Sequence, residues 1–560
     1  MGSIFFELTV ILCIATCLAV IFRFFKQPPI LAYILTGLLI GPLGIIQGQS
    51  FDILQNFSEL GITLLLFLLG LELKLNELRS IGKVVIIVGV LQVLGTVALG
   101  FGLSILFGLA PLIGLYIGAA IAFSSTIIVV KLLSDQKDIK SLHGKLAVGI
   151  LLVQDVFAIL FLMVISGYKP EASITAAFIS FLEIIAKGMI LFSVVAILSK
   201  KVIPHMLHAL SQSQELLFLF SLAWVFGVAG VVSSPLIGFS IEIGGFLAGI
   251  SLANAVENIQ IVARVRPLRD FFVTLFFVFL GAQLALGRIE TIILPAILFT
   301  ILVTVVKPLV VMVLLSFFAY RKRTSFFTGL SVAQISEFSF IIMLLGNKSG
   351  VIPPEVLSMI TLVGIVSFVS SSYSITHINK MYLAIGKHLG FFEWRKGSGE
   401  TIVHHDGQFS NHIVLIGSTR MGHTIIDVLG GTDQLLVVDF DPMQIEKLTE
   451  KGIPAIFGDI IDGDIAEHAG VAKAKFVIST ISDISDNLHI IKSVQHLSGK
   501  PKIVVVAYDT EEAKVYYAAG ADYVVMPHIA SGRQIARALK SDETEKLEEL
   551  REKEQAYLVQ

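Results

Sequence analysis

The sequence predicts an α-helical polytopic membrane protein with thirteen transmembrane helices, followed by a C-terminal α/β domain of Rossmann-like build. Three observations lead there. The 560 residues are 55% hydrophobic and 15% charged, with a mean hydropathy of +0.85, which is a membrane composition. That apolar character is confined to residues 1 to about 380, and the charge density from about 410 onward is that of a soluble domain. In the second part, apolar strand-like runs alternate with helix-like stretches, the pattern of a parallel doubly wound sheet. The expected division is a membrane domain over 1–380, a polar linker over 381–410 with a flexible point near Gly397 and Gly399, a nucleotide-binding type of domain over 411–540, and a mixed-charge tail over 541–560.

A helix needs about 20 apolar residues to cross the hydrocarbon. Runs of that kind lie near 3–22, 29–47, 55–73, 84–105, 110–131, 145–167, 176–199, 214–232, 235–253, 269–287, 292–318, 325–346 and 353–376. The loops between them alternate in charge. One side carries Arg23 and Lys26; Lys74, Arg79 and Lys83; Lys131, Lys137, Lys140 and Lys145; Lys200 and Lys201; Arg264, Arg266 and Arg269; and Arg321, Lys322 and Arg323. The other side holds Lys169, Arg288 and Lys348. The positive-inside rule puts the first set in the cytoplasm, so an odd span count leaves the N-terminus outside and the C-terminal domain inside. The first run lacks a charged n-region and a small-residue cleavage site, and reads as a retained span in a plasma (inner) membrane. A net charge of −2 without a basic stripe argues against nucleic-acid binding. Cys13 and Cys17 are one turn apart on one helix, poorly placed for a disulfide, and are expected to pack as small apolar groups.

Several spans contain groups that hydrocarbon does not tolerate without a reason. Asp155 lies in ILLVQDVFAI with no neighbouring cation. A carboxylate at mid-bilayer costs roughly 2.5–3.5 kcal/mol on insertion scales, so it reads first as part of an ion or proton path, and otherwise as a hydrogen-bonded packing residue. Lys187 follows Glu183 by four residues and reads as an intrahelical pair. Lys307 has no such partner, precedes Pro308, and suggests an ion pair with an acid on another helix. Span five carries Ser124, Ser125 and Thr126 in a row, and span twelve carries Gln334, Ser336 and Glu337. Such clusters mark discontinuous helices at a cation site, or else hydroxyls bonding backward within their own helix. The two spans are seven apart, an odd number, as an inverted repeat requires. Glu59, Glu72 and Glu242 lie nearer span ends and read as structural.

The runs PPILAYILTGLLIGP, ELGITLLLFLLGLEL, AFSSTIIVVKLL, LLVQDVFAI, GGFLAGISLA, LRDFFVTLFFVFLGA and GLSVAQISEFSF, in that order over residues 1–380, resemble the monovalent cation:proton antiporter-2 family, Kef-type branch. The resemblance implies a homodimer, formed through the membrane and cytoplasmic domains, in which an ion-carrying core moves against a dimerisation part. It implies that spans five and twelve cross as broken helices. Asp155 would be the cation and proton carboxylate, with Gln154, Ser125 and Thr126 supplying nearby oxygens. Lys307, Gln334 and Glu337 would stabilise the crossing. Gln154 ahead of Asp155, in place of a second acid, resembles the electroneutral type. A single carboxylate can hold a proton or a monovalent cation but not both, so binding one expels the other and alternating access exchanges them. Oxygen ligands suit a hard alkali cation; K⁺ is favoured, with Na⁺ as the alternative. Of the His-Ala-Leu-Glu loop that relatives use for glutathione gating, only Ala255 and Glu257 match in Asn254-Ala255-Val256-Glu257, so glutathione control is not expected.

Beyond the linker, NHIVLIGSTRMGHTII reads as strand, turn, helix, and further strands are expected at QLLVVDF, IPAIFGD, KFVISTI, PKIVVVAY and DYVVMP. The first turn runs from Gly417 to Gly422. Thr419 stands where a full dinucleotide fingerprint has its middle glycine, and Asp439 ends the second strand as a ribose-binding acid should. The stretch resembles the N-terminal regulatory domain of potassium-transport proteins (RCK or TrkA-N type) at Arg420, Gly422, Asp439, Gly458, Asp459 and Asn487. That resemblance implies an adenosine nucleotide, AMP or NAD(H), as regulator. Two rival readings stand beside the antiporter. A gated potassium channel would share the regulatory domain, but a TVGYG-like filter is absent from the sequence. A membrane-tethered NAD-dependent oxidoreductase would need a substrate domain and a catalytic constellation after residue 530, so no enzymatic activity is expected.

Overall fold

In the computed structural model the described residues are 4–25, 27–41, 49–72, 82–136, 138, 141–167, 174–201, 203, 206–207, 213–234, 237–255, 257–284, 289–318, 320–392, 409–429, 434–439, 442–458, 460–461, 463–481, 483–497 and 499–540. Expectations placed on Lys26, Lys74, Arg79, Lys137, Lys140, Lys169, Val256, Arg288, Asp459, most of the 381–410 linker and the 541–560 tail lie outside them. The chain divides into two compact units, one ending at Phe392 and the other built mainly from Glu393 onward.

The first unit is helical: α1 (Ile4–Phe24), α2 (Pro29–Ile40), α3 (Gln49–Glu72), α4 (Lys83–Leu106), α5 (Pro111–Ala122), α6 (Thr126–Asp135), α7 (Leu142–Gly167), α8 (Ile174–Lys201), α9 (Gln214–Val232), α10 (Ile241–Leu252), α11 (Asn258–Ala282), α12 (Ile289–Ile301), α13 (Lys307–Phe317), α14 (Lys322–Ser331), α15 (Glu337–Lys348), α16 (Pro354–Thr376) and α17 (Ile378–Ile385). Each of the thirteen apolar runs contains helix. Among the described residues eight helical stretches are long and apolar enough to cross a membrane, and Pro29–Ile40 and Ile241–Leu252 are shorter apolar helices. Prolines fix several starts: Pro29, Pro111 and Pro354 stand in the first turns of α2, α5 and α16, where a missing N–H costs nothing and φ is already helical.

Helices in this unit approach closely where side chains vanish. A Cβ at Gly281 of α11 would collide with the Ile34 carbonyl of α2, and one at Gly37 of α2 would collide with the Val278 carbonyl of α11. Small residues let backbones meet where lipid offers no hydrophobic drive between helices. On α1, Ile11 and Ala15 are buried on the stripe that meets α2. Cys13 and Cys17 fall on another face and are free and exposed, where they were expected to pack as small apolar groups. Lys187 does pair with Glu183, at 2.7 Å. Glu59 pairs with Lys348 at 2.5 Å and Glu72 with Arg266 at 3.0 Å, ties between helices far apart in sequence.

The second unit is a parallel six-stranded sheet in the order β3-β2-β1-β4-β5-β6, with strands β1 (Ile413–Ile416), β2 (Leu435–Asp439), β3 (Ala455–Phe457), β4 (Phe476–Ser479), β5 (Lys502–Val506) and β6 (Tyr523–Val525). All six expected strands are present. The connecting helices are α18 (Arg420–Leu429), α19 (Pro442–Glu450), α20 (Gly463–His468), α21 (Ile484–Gln495) and α22 (Thr510–Ala519), with α23 (Pro527–Lys540) after the sheet. Both faces are covered: Val414 and Ile416 join one core with Val477 and Val505, while Leu415 joins another with Ile426 and Ile445. Burial on both sides is why these strands read as continuous apolar runs. The strand order reverses between β1 and β4, the switch point beside which ligands bind in such sheets.

Asp522, just before β6, ties the last two strands together. Its carboxylate accepts from Lys502 Nζ (2.7 Å) and from the Ile503 N–H (2.8 Å). Partial burial works to raise its pKa. The Lys502 hydrogen bond, the Ile503 N–H and the Lys502 charge outweigh burial and hold it below the ordinary carboxylate value. A depressed carboxylate contributes stability at neutral pH, and that contribution is lost as pH falls through the folded-state value. Chemical denaturation of the second unit, followed by circular dichroism, should therefore show a shallower loss of stability between neutral and acid pH in Asp522→Asn than in the wild type.

Candidate functional site

The sequence breaks two apolar helical runs, and the breaks meet. Between α5 and α6 residues 123–125 leave the helix, and between α14 and α15 residues 332–336 do so. Ser125 caps α6 by accepting the Ile128 N–H, and Ser336 caps α15 in a reciprocal box with Ser339. The two extended segments then bond directly: the Ser125 N–H donates to the Ile335 carbonyl at 3.1 Å. Ser124 Oγ donates to the Val332 carbonyl (2.9 Å), Gln334 Nε2 to the Ser125 carbonyl (3.2 Å), and Ser339 Oγ to the Ala120 carbonyl. A broken helix in hydrocarbon must satisfy its freed backbone groups from neighbouring elements, and here each break serves the other.

Lys307 completes that arrangement. A π turn over Leu302–Val306 precedes it, so that its N–H reaches Leu302 five residues back, ahead of Pro308. A proline disrupts the ordinary ladder one turn earlier, and a π turn is one way to absorb it. The Lys307 ammonium donates to the carbonyls of Ile121 (3.2 Å), Phe123 (3.1 Å) and Gln334 (2.7 Å). The expected ion pair with an acid is thus replaced by three carbonyls. The physical reason is that broken helices leave unpaired carbonyls, and an ammonium has three donors to match them.

Asp155 lies on the unbroken α7, buried to 3% exposure, and its Oδ2 accepts from Thr126 Oγ1 at 2.9 Å. Thr126 is the first residue of α6. Its neighbour Ser125 donates to Glu337 Oε1 at 2.7 Å, so adjacent hydroxyls hold two carboxylates. Gln154 behaves differently from the expectation that it offers an oxygen to a cation. Its Oε1 accepts the Ser124 N–H (2.8 Å) and its Nε2 donates to Gln92 Oε1 (2.5 Å). Gln92, on α4, donates onward to Thr96 (3.0 Å) and to the Ala122 carbonyl (3.1 Å). Gln154 and Gln92 therefore brace the end of α5. Sequence reading missed Gln92, although a lone amide in an apolar span is the same kind of signal as Asp155. Gln334 Oε1 is buried and has no hydrogen-bond partner among the described residues.

In the second unit, β1 ends at Gly417, whose φ of +86° suits the turn into α18. A Cβ at Gly422 would collide with the Gly417 carbonyl, so the helix sits tightly on the turn. Thr419 turns its hydroxyl to Thr480 Oγ1 (2.9 Å), and Thr480 donates to the Gly417 carbonyl (2.7 Å). Asp439 accepts the Ser418 N–H (2.6 Å) and the Ser418 hydroxyl through Oδ2. Gly417, Thr419, Gly422 and Asp439 thus meet at the switch point. Arg420 opens α18, Gly458 follows β3, and Asp459 lies outside the described residues. Asn487 does not join them. It is fully buried, its Oδ1 accepts from Ser479 (2.6 Å), and its Nδ2 donates to the Ile481 carbonyl (3.0 Å) and to Tyr516 (3.2 Å). Both amide protons are spent within the protein. Burial, outweighing the Asn487 bond, pushes the Tyr516 phenol up to about 12. A cavity of about 770 Å³ is lined by residues that include Ile416, Ile460, His468, His489 and Ser493.

A family model described as sodium/hydrogen exchanger, transmembrane, matches residues 9–380, and one described as a TrkA-N domain matches residues 413–527. YbaL of Escherichia coli (strain K12), named as a cation/proton antiporter, is 26% identical over 549 residues, covering 94% of this chain and 95% of that protein. K(+) efflux antiporter 6 of Arabidopsis thaliana is 30% identical over 342 residues, covering 60% of this chain, which spans 57% of that relative's length. Among solved structures, the sodium proton antiporter MjNhaP1 of Methanocaldococcus jannaschii matches 70% of this chain and 99% of its own, with a TM-score of 0.52 at 18% identity, a likeness of fold.

Lys307→Met should leave the carbonyls of Ile121, Phe123 and Gln334 without a donor. At about 1–3 kcal/mol for each orphaned group, the unfolding temperature of the detergent-solubilised protein should fall clearly. The exposed Lys131→Met should leave it nearly unchanged.

Proposed function

The chain belongs to the sodium/hydrogen exchanger family, and from that premise we propose that it exchanges a monovalent cation for protons at Asp155, with K⁺ favoured over Na⁺. One observation carries this reading: a membrane-buried carboxylate on a continuous helix, hydrogen-bonded to the first residue of a broken helix. Asp155 is the exchanging group. Thr126 and Ser125 supply hydroxyl oxygens, and Gln334 Oε1 is a further neutral oxygen at the crossing. Gln154 supports α5. Protonated, Asp155 has no charge to hold a cation; ionised, it has one. Each ligand therefore displaces the other, and alternating access carries them in opposite directions. One exchanging carboxylate beside an amide fits one proton for one cation, an electroneutral cycle. The preference for K⁺ leans on the relative named as a K⁺ efflux antiporter.

The same proposal places thirteen crossings within residues 1–380, the N-terminus outside, and the chain as a homodimer in the plasma (inner) membrane. Residues 411–540 then form a cytoplasmic regulatory domain behind the 381–410 linker. An adenosine nucleotide, AMP or NAD(H), binds at the turn of Gly417, Thr419, Arg420 and Gly422, with Asp439 and Asp459 beside it. The positive φ of Gly417 and the close seat of Gly422 support a phosphate-binding turn. The engagement of Asp439 with Ser418 means that a ribose would compete with that serine.

The full-length protein in vesicles with a pH dye tests the exchange. Cation-dependent dye recovery is expected, larger with K⁺ than with Na⁺, and Asp155→Asn should abolish it. Recovery unchanged in Asp155→Asn removes the assigned role. For the regulatory domain, thermal unfolding of the full chain with AMP, NAD⁺ or NADH should show stabilisation by at least one of them. A ligand at 100 times its Kd adds about 2.7 kcal/mol to the domain that binds it.

A further inference from the structure

The helices of the first unit pack as two groups. In one, α3 lies along α10 and α11, with α2, α1 and α9 built onto them. In the other, α15 packs on α5 and α16, α5 on α4, α4 on α13, and α13 on α14. Both helix breaks and Lys307 belong to the second group, and Asp155 is bonded to it through Thr126. Within each group, glycines let backbones touch. A Cβ at Gly61 of α3 would collide with the Phe272 carbonyl of α11, one at Gly249 of α10 with the Phe67 carbonyl of α3, and one at Gly118 of α5 with the Val97 carbonyl of α4. Among the described residues no helix of one group packs along a helix of the other. The seam between them is met by side chains, such as the Phe277 ring of α11 against the Phe340 ring of α15, 6.0 Å between centroids. Backbones joined through glycine hold their register, whereas surfaces that meet through side chains permit shear.

A charged tie crosses this seam. Lys348, the last residue of α15, places its ammonium 2.5 Å from Glu59 Oε1 on α3. Gln55 Nε2, one turn back on α3, donates to the same oxygen at 3.5 Å, so the acid is held by its own group. The lysine is held by the other. The Val351 and Ile352 N–H groups both donate to the Gly346 carbonyl (2.9 Å each), and Asn347 Nδ2 donates to the Ile352 carbonyl (2.8 Å). From Glu337 at the break to Lys348, α15 is one continuous helix of 12 residues, about 16 Å between its ends. Lys348 therefore travels with the crossing. The two side chains are 31% and 30% exposed, so water can take both charges when they separate.

We propose that Glu59 and Lys348 form a latch across the seam: they pair in the access state of this structure and part in the other. This rests on the exchange reading, in which one helix group carries Asp155 past the other. The pair closes the seam at the face where α15 ends, which is the outer face in the topology proposed above. It thereby favours the state in which Asp155 opens inward. Without it, the equilibrium between the two access states moves toward the outward one, and the apparent cation affinity at each face follows the population of the state that binds there.

The test uses the full-length protein in vesicles with a pH dye, on a background of Cys13→Ser and Cys17→Ser. In the double variant Glu59→Cys with Lys348→Cys, a bis-methanethiosulfonate reagent joins the two thiols and a reductant releases them. Cross-linking is expected to stop exchange, and reductant to restore it. Undiminished exchange by cross-linked protein, or thiols that never join, overturns the proposal. The charges are tested separately, in right-side-out and inside-out vesicles. Glu59→Gln and Lys348→Met should each lower the cation KM at the outer face and raise it at the inner face. The shift should be up to about five-fold, the factor that a partly exposed ion pair supports. Combining the two should move KM no further than either alone, because each removes the same interaction. Additive shifts, or none, overturn the proposal. Asp155→Asn run in parallel separates the two ideas. If it still exchanges, the exchange reading itself fails; if exchange needs Asp155 but ignores the cross-link, the latch alone fails.

Discussion

A chain that leaves helical geometry inside a membrane must find partners for every freed N–H and C=O, because no water is there to take them. Much of the membrane unit follows from how this protein meets that demand at one point. The Lys307 ammonium gathers the carbonyls of Ile121, Phe123 and Gln334, while Ser124, Gln334 and Ser339 side chains and the Ser125 N–H stitch one break to the other. The π turn that sets Lys307 ahead of Pro308 belongs to the same solution.

That solution has a consequence for ions. Once the carbonyl ends are taken by Lys307, the N-terminal ends of α6 and α15 remain, and these are the ends that attract negative charge. Two carboxylates answer them, Glu337 through Ser125 and Asp155 through Thr126. They are not equivalent. Glu337 is built into α15 itself, whereas Asp155 belongs to the neighbouring continuous helix and has one hydrogen bond from the crossing. Gln154, next to it in sequence, pairs with Gln92, and the two tie α4 and α7 to the end of α5.

The second unit meets a milder constraint. Its sheet is buried on both faces, so the apolar strands carry the fold, and polar groups are left to shape the switch point. There Ser418, Asp439, Thr419 and Thr480 bond among themselves. The turn is formed by the protein's own contacts, and a bound nucleotide would exchange some of them rather than organise the loop from nothing.

Helices and strands were legible from the sequence because burial leaves a period: thirteen apolar runs all contain helix, and six apolar runs with turn residues between them became six parallel strands. Asp155, Lys307 and the hydroxyl clusters were legible for the same reason, as polar groups where hydrocarbon should be. Partnership was not legible. Lys307 looked like half of an ion pair, yet it serves carbonyls, because a backbone break on another helix leaves no mark at residue 307. Gln154 looked like a ligand and Asn487 like part of a nucleotide site, yet both spend their amides inside the protein. Cys13 and Cys17 face outward because α1 buries a stripe that starts two residues away. Sequence by itself determined which residues are out of place in oil and which segments are regular, since both depend on local polarity. Tertiary structure alone decided what each polar atom bonds to, since a hydrogen bond is a distance between elements that the chain order does not contain.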